Sequence, residues 1–160
     1  MIPLIVLAVA VVIAVAVGLV LRQRAGRVRA GASPTGGVDA DDSGLRGRLV
    51  AAGVSTTGPT VLHFSADWCG PCAGVRRAVA QVVRELGVST GAQITDLELD
   101  IDEHPALAKE LGVHSLPTTF LYDAAGAQRH RISGVPAIGD LRDALRPLCG
   151  TDEPPAGTNG

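Results

Sequence analysis

Phe64-Ser65-Ala66-Asp67-Trp68-Cys69-Gly70-Pro71-Cys72 is the stretch around which the 160-residue chain organises. Just upstream, Pro59 to Ser65 is an apolar, β-branched run that suits a buried strand. Downstream, from Gly70 to Leu86, the residues Val75, Ala78, Val79, Val82, Val83 and Leu86 recur at helical spacing. Arg76, Arg77, Arg84 and Glu85 fall on the other side of that helix. The two cysteines therefore sit where a strand gives way to a helix. A helix N-terminus presents unpaired N–H groups and the positive end of the macrodipole, which favour a thiolate at Cys69. The thiolate is the attacking species in disulfide exchange. Two intervening residues place the second sulfur one turn on, close enough to pair with the first. Pro71 sets φ for the first turn and removes a donor that has no partner there.

A zinc site is the competing use of such a pair. Zinc takes four ligands, usually as two short-spaced pairs. His63, His104, His114 and His130 are scattered, and the third cysteine, Cys149, is distant, so no metal centre is expected. Three cysteines are also too few for a disulfide-stapled scaffold. Asp67, Asp100, Asp102 and Glu103 form no paired-carboxylate site and read as solvated loop or strand-end charges.

Working outward, strand and helix signals alternate. Leu45 to Val54 suits a short helix with Asp42 or Ser43 as its cap. Gln93 to Ile101 alternates as a strand, and Pro105 to Leu111 is a short helix ended by Gly112. Thr118 to Tyr122 and Gln128 to Ser133 flank the turn Asp123-Ala124-Ala125-Gly126, a hairpin signal. Ala137 to Leu148 closes the domain as an amphipathic helix with Ile138, Leu141, Leu145 and Leu148 inward. A βαβ unit followed by a hairpin and a helix predicts an α/β fold, a mixed sheet covered on both faces.

The N-terminus has a different character. Ile2 to Leu21 carries no charge, and twenty helical residues span about 30 Å, the hydrocarbon thickness of a bilayer. Residues 1–22 are therefore expected to be a transmembrane anchor. A cleaved leader needs a basic stretch before a shorter apolar core, which this segment lacks. Arg22, Arg24, Arg27 and Arg29 follow it, and with the net charge at −2 the remainder stands at −2 − 4 = −6. A domain of that sign is no nucleic-acid binder. By the positive-inside rule the same arginines predict a cytoplasmic domain, with an extracytoplasmic one as the alternative. Residues 23–44 read as a basic juxtamembrane segment and flexible linker, 45–149 as the folded domain, and 150–160 as a disordered tail. Aromatics are scarce at 2 %, so Val, Leu, Ile and Ala must fill the core.

The segment Phe64 to Cys72 resembles the active-site segment of thioredoxins, and Leu116-Pro117-Thr118 resembles the family's cis-proline loop at the expected distance downstream. Gly134 matches the glycine after the last strand. The resemblance covers about Leu45 to Leu148 and implies the thioredoxin fold, with Pro117 in a cis peptide bond facing the cysteines. It implies that Cys69 is the nucleophile and Cys72 the resolving thiol. Trp68, Gly70 and Pro71 complete the motif, and Leu116, Trp68 and Gly134 contact an extended substrate segment. No cofactor is required beyond the Cys69–Cys72 disulfide. The implied partners are disulfide-containing proteins and a reductase or dithiol protein as electron donor, with the chain a monomer. Gly-Pro between the cysteines is similar to the reducing members, so the expected activity is protein-disulfide reduction at a membrane. The alternatives are an extracytoplasmic reductase of apocytochrome or envelope proteins and a non-catalytic adaptor.

The sequence also departs from the family. Six residues before the first cysteine, where a buried Asp is common, stands His63. The nearby family Lys corresponds to Glu98. His63 is then either a satisfied strand histidine or the base for Cys72, since imidazole titrates near neutrality. Cys149, at the end of the last helix, reads as an incidental thiol, with a regulatory or intermolecular role as the alternative. The family's first strand is not evident before Leu45.

Overall fold

The computed structural model describes residues 11–16, 28–30 and 40–150. Residues 11–16 are helical, with Val11, Val12, Ile13 and Val15 exposed. The rest of the expected anchor and the C-terminal tail lie outside the described residues. Among the described residues, no helix is long and apolar enough to cross a membrane.

The sheet has the order β1 (Val28–Ala30), β5 (Gln128–Ser133), β4 (Thr118–Tyr122), β2 (Thr60–Ser65), β3 (Thr95–Asp100). The central strand β2 (Thr60–Ser65) is buried along its whole length, as its apolar run requires. It pairs in parallel with β3 (Thr95–Asp100) and antiparallel with β4 (Thr118–Tyr122). The parallel partner is reached through the crossover helix α2 (Cys72–Thr90). β4 turns at Gly126, where φ is 75°, into β5 (Gln128–Ser133). Asp123 closes this turn by accepting a bond from the Ala127 amide at 2.8 Å.

Alternation along the strands sorts the core into two layers. Leu62, Phe64, Phe120 and Tyr122 face α1 (Ala40–Ala52) and α3 (Pro105–Glu110), packing with Leu49, Leu107 and Leu111. The Phe64 and Phe120 rings meet edge to face at 6.3 Å. Val61, Leu121 and Ile132 face the other way, against Val75, Val79, Val82 and Leu86 of α2 and Leu141 and Leu145 of α4 (Ile138–Leu145). The mixed sheet with helices on both faces is the expected one.

Several boundaries differ from the sequence reading. Two parts of the stretch expected as a linker are regular structure. One is the strand β1 (Val28–Ala30), which pairs antiparallel with the outer edge of β5. The other is the start of α1, which begins at Ala40, so that Asp42 and Ser43 lie inside the helix and do not cap it. α2 continues past Leu86 to Thr90, because Gly91 takes the left-handed conformation (φ 72°) and closes on the Gly87 carbonyl at 3.0 Å. The last helix tightens into a 3₁₀ turn at Arg146–Cys149, where Pro147 supplies no amide.

Candidate active site

β2 ends at Ser65, and the chain crosses to the head of α2 in six residues. Two backbone bonds shape the crossing, Cys69 N–H to Ala66 O at 3.0 Å and Cys72 N–H to Cys69 O at 3.2 Å. Pro71 sits at the helix start with φ −63°, as its ring dictates. Cys69 and Cys72 are joined as a disulfide with Cα atoms 5.5 Å apart. They pack with Ala66, Ile101 and Leu116. Cys69 is 9 % exposed and Cys72 only 1 %, so an incoming sulfur can approach Cys69 alone.

The opposite wall of the site is the loop before β4. The Leu116–Pro117 peptide bond is cis, as expected. Thr118 Oγ1 donates to Ser115 O at 2.8 Å, and the Gly134 amide donates to Pro117 O at 2.8 Å. Gly134 holds φ 86°, a conformation that a side chain disfavours. Pro117 and Gly134 are thus locked to one another beside the cysteines. Trp68 is 71 % exposed, and its indole Nε1 donates to Asp102 Oδ2 at 3.1 Å. Gly70 is exposed with open space around it.

The thioredoxin family model matches residues 50–146. The chain belongs to the thioredoxin family. It is 37 % identical over 93 residues to a thioredoxin of Mycolicibacterium smegmatis, covering 54 % of this chain and 79 % of the relative. It is 32 % identical over 90 residues to a bifunctional thioredoxin reductase/thioredoxin of Mycobacterium leprae, covering 56 % of this chain and 19 % of that longer protein. Among solved structures, a mutant thioredoxin from Halobacterium salinarum aligns with a TM-score of 0.52 at 27 % identity, covering 64 % of this chain and 86 % of the other. The chain is a thiol–disulfide oxidoreductase, and its own cysteine pair is the redox centre.

Several residues of this thioredoxin-family site escaped the sequence reading. Asp102 is not merely a solvated charge but the partner of the Trp68 indole. Gly74, one turn into α2, lets the chain after β5 approach closely, since a Cβ there would meet Val135 Cγ1 at 3.2 Å. Arg131 donates to Leu111 O and Gly112 O at 2.7 and 2.6 Å and lies 5.0 Å above the Phe120 ring. It thereby holds the C-terminal end of α3, from which the cis-proline loop departs.

His63 is 2 % exposed and stands directly opposite Glu98 in the β2–β3 register. Alternation puts it on the α2 face, and its Nε2 donates to Asp96 Oδ1 at 3.0 Å. Arg76 of α2 reaches Glu98 with Nε at 2.7 Å from Oε1 and 2.9 Å from Oε2. That contact holds the Glu98 carboxyl below the usual range. Burial opposes the effect, and the Ser65 hydroxyl and His63 add to it. Asp96, His63, Glu98 and Arg76 therefore form one cluster across β2, β3 and α2.

Cys149 does not stand clear of the domain. It packs against the α2–α4 core and donates from Sγ to Leu145 O at 3.3 Å. Burial pushes its thiol pKa up, against smaller opposing effects of Thr90 and Arg146.

Proposed function

We propose that the chain reduces disulfide bonds of proteins while tethered to a membrane through the uncharged run Ile2–Leu21. The observation that carries the exchange chemistry is the disulfide-bonded pair with only Cys69 open to an incoming sulfur, 9 % exposed against 1 % for Cys72. The Cys69 thiolate attacks a substrate disulfide, forms a Cys69–substrate disulfide and releases one substrate thiolate, which takes up a proton. Cys72 loses its proton and attacks Cys69 Sγ. The second substrate thiolate leaves and the Cys69–Cys72 disulfide closes. Two electrons pass from the dithiol to the substrate. A thioredoxin reductase returns them, a donor class supported by the fused reductase in the Mycobacterium leprae relative. His63, on the α2 face of β2, is the group we assign to take the Cys72 proton. Leu116, Trp68 and Gly134 are assigned to the substrate chain.

A trapping experiment tests the order of attack. Cys72→Ser should accumulate a covalent complex with substrate that thiol reagents dissolve, whereas Cys69→Ser should accumulate none. A complex formed through Cys72 in Cys69→Ser protein would reverse the roles.

The arginines after the apolar run favour a cytoplasmic domain. Labelling Cys69 of Cys149→Ser protein in intact cells tests this, with an impermeant thiol reagent after an impermeant reductant. Labelling only after lysis supports the cytoplasmic side. Labelling before lysis moves the domain, and its substrates, outside.

A further inference from the structure

β1 has a direction as well as a place. Val28 lies opposite Ile132 and Ala30 opposite His130, so β1 runs antiparallel to β5. β5 runs toward Ser133 and Gly134, and Gly134 is bonded to Pro117 beside the cysteines. The N-terminal end of β1 therefore lies at the cysteine end of the sheet, and the chain from the apolar run must arrive there. The opposite end of the sheet carries the Asp123–Gly126 turn.

Length then decides how the domain can sit. Seven Cα–Cα steps separate Leu21 from Val28, at most about 25 Å when fully extended. A domain of roughly 110 residues has a radius of gyration near 13 Å and so a width of about 34 Å. A chain that arrives at the cysteine end cannot reach it around the far side of the domain. Apolar side chains are exposed at this end, beside the exposed carboxylates Asp67 and Asp102. Trp68 is 71 % exposed, Val135 41 % and Ile138 37 %. Tryptophan favours the lipid–water boundary, and Arg22, Arg24 and Arg27 of the tether suit anionic headgroups.

Resting on the tethered reading above, we infer that the Cys69–Cys72 end of the domain faces the bilayer, and that its substrates are disulfides of membrane proteins held at the bilayer surface. In reducing them the dithiol becomes one disulfide as the substrate disulfide becomes two thiols.

Trp68 is the single tryptophan of the chain and serves as the reporter. The reduced full-length chain is reconstituted into phosphatidylcholine vesicles with or without a nitroxide on the lipid headgroup. A second protein, Trp68→Phe with Ala124→Trp, moves the reporter to the exposed turn at the far end of the sheet. Native Trp68 fluorescence should be quenched severalfold more strongly than that of the relocated reporter. Equal quenching, or the reverse, overturns the orientation while leaving the anchor in place. Protein that fails to float with the vesicles sinks the anchor and the orientation together. The substrate class has its own readout, a disulfide peptide linked to a vesicle phospholipid compared with the same peptide free in solution. The anchored peptide should be reduced at least roughly ten-fold faster, through its higher effective concentration. Equal rates in floating, correctly oriented protein overturn the substrate class.

Discussion

Cys69, just before α2, is 9 % exposed and Cys72, its first residue, 1 %, and the roles proposed for the two sulfurs rest on that difference. His63 tests whether a neighbouring side chain serves the buried sulfur. If it takes the Cys72 proton, His63→Ala should shift the pH profile of single-turnover disulfide reduction as well as lower stability. An unmoved profile with a lowered midpoint of unfolding would leave only the bond to Asp96 as its role. Cys149 offers a simpler prediction. Burial raises its thiol pKa, so the thiolate forms only above the usual thiol range, and iodoacetamide should modify it more slowly than a free model thiol at neutral pH. Fast labelling would contradict the packing seen here. At this scale the sequence was legible wherever function depends on a local pattern. The cysteine pair could be read from its strand-to-helix context, and Pro117 and Gly134 from the resemblance of their motifs to the family's. Asp102, Gly74 and Arg131 were not legible, because each acts on a partner that only the folded chain brings near.

The elements are joined by contacts that can be broken one at a time. Arg76 links α2 to β3 through Glu98. Because the Glu98 carboxyl titrates lower in the fold than in the unfolded chain, its contribution is present above the unfolded carboxylate range. It is lost as pH falls through the folded value. Glu98→Gln should therefore lower the denaturant midpoint at neutral pH, with the gap to the native chain closing in acid. A gap independent of pH would remove the ion pair as its cause. Gly58 guards a second junction, where the chain before β2 passes that before β3. A Cβ there would collide with the Gln93 carbonyl oxygen. Gly58→Ala must push two backbones apart and should cost roughly 1–3 kcal/mol in denaturant unfolding. Element order and type followed from periodicity in the sequence, whereas ends depended on caps. Thr90 and Gly91 carry α2 one turn beyond its apolar stripe, and the stripe itself says nothing of where hydrogen bonding stops. β1 was missed because three residues have no period to read.

For the molecule as a whole, both core clusters, among the described residues, draw on Leu45 and later positions. Removing residues 1–39 takes away β1 and none of the residues described in those two layers. The shortened chain should fold with a stability loss of about 1 kcal/mol or less, a few degrees in Tm, and should still reduce a soluble disulfide substrate. A chain that failed to fold would show that the short strand contributes far more than its three residues suggest.

The pairing of β1 with β5 joins positions about one hundred residues apart. During synthesis the apolar run and β1 emerge first, and β5 must wait until most of the domain has been translated. On the tethered reading proposed above, the apolar run would be available to a membrane-insertion machinery long before β1 has anything to pair with. On that reading, targeting would precede orientation, an order that follows from the sequence separation of β1 and β5.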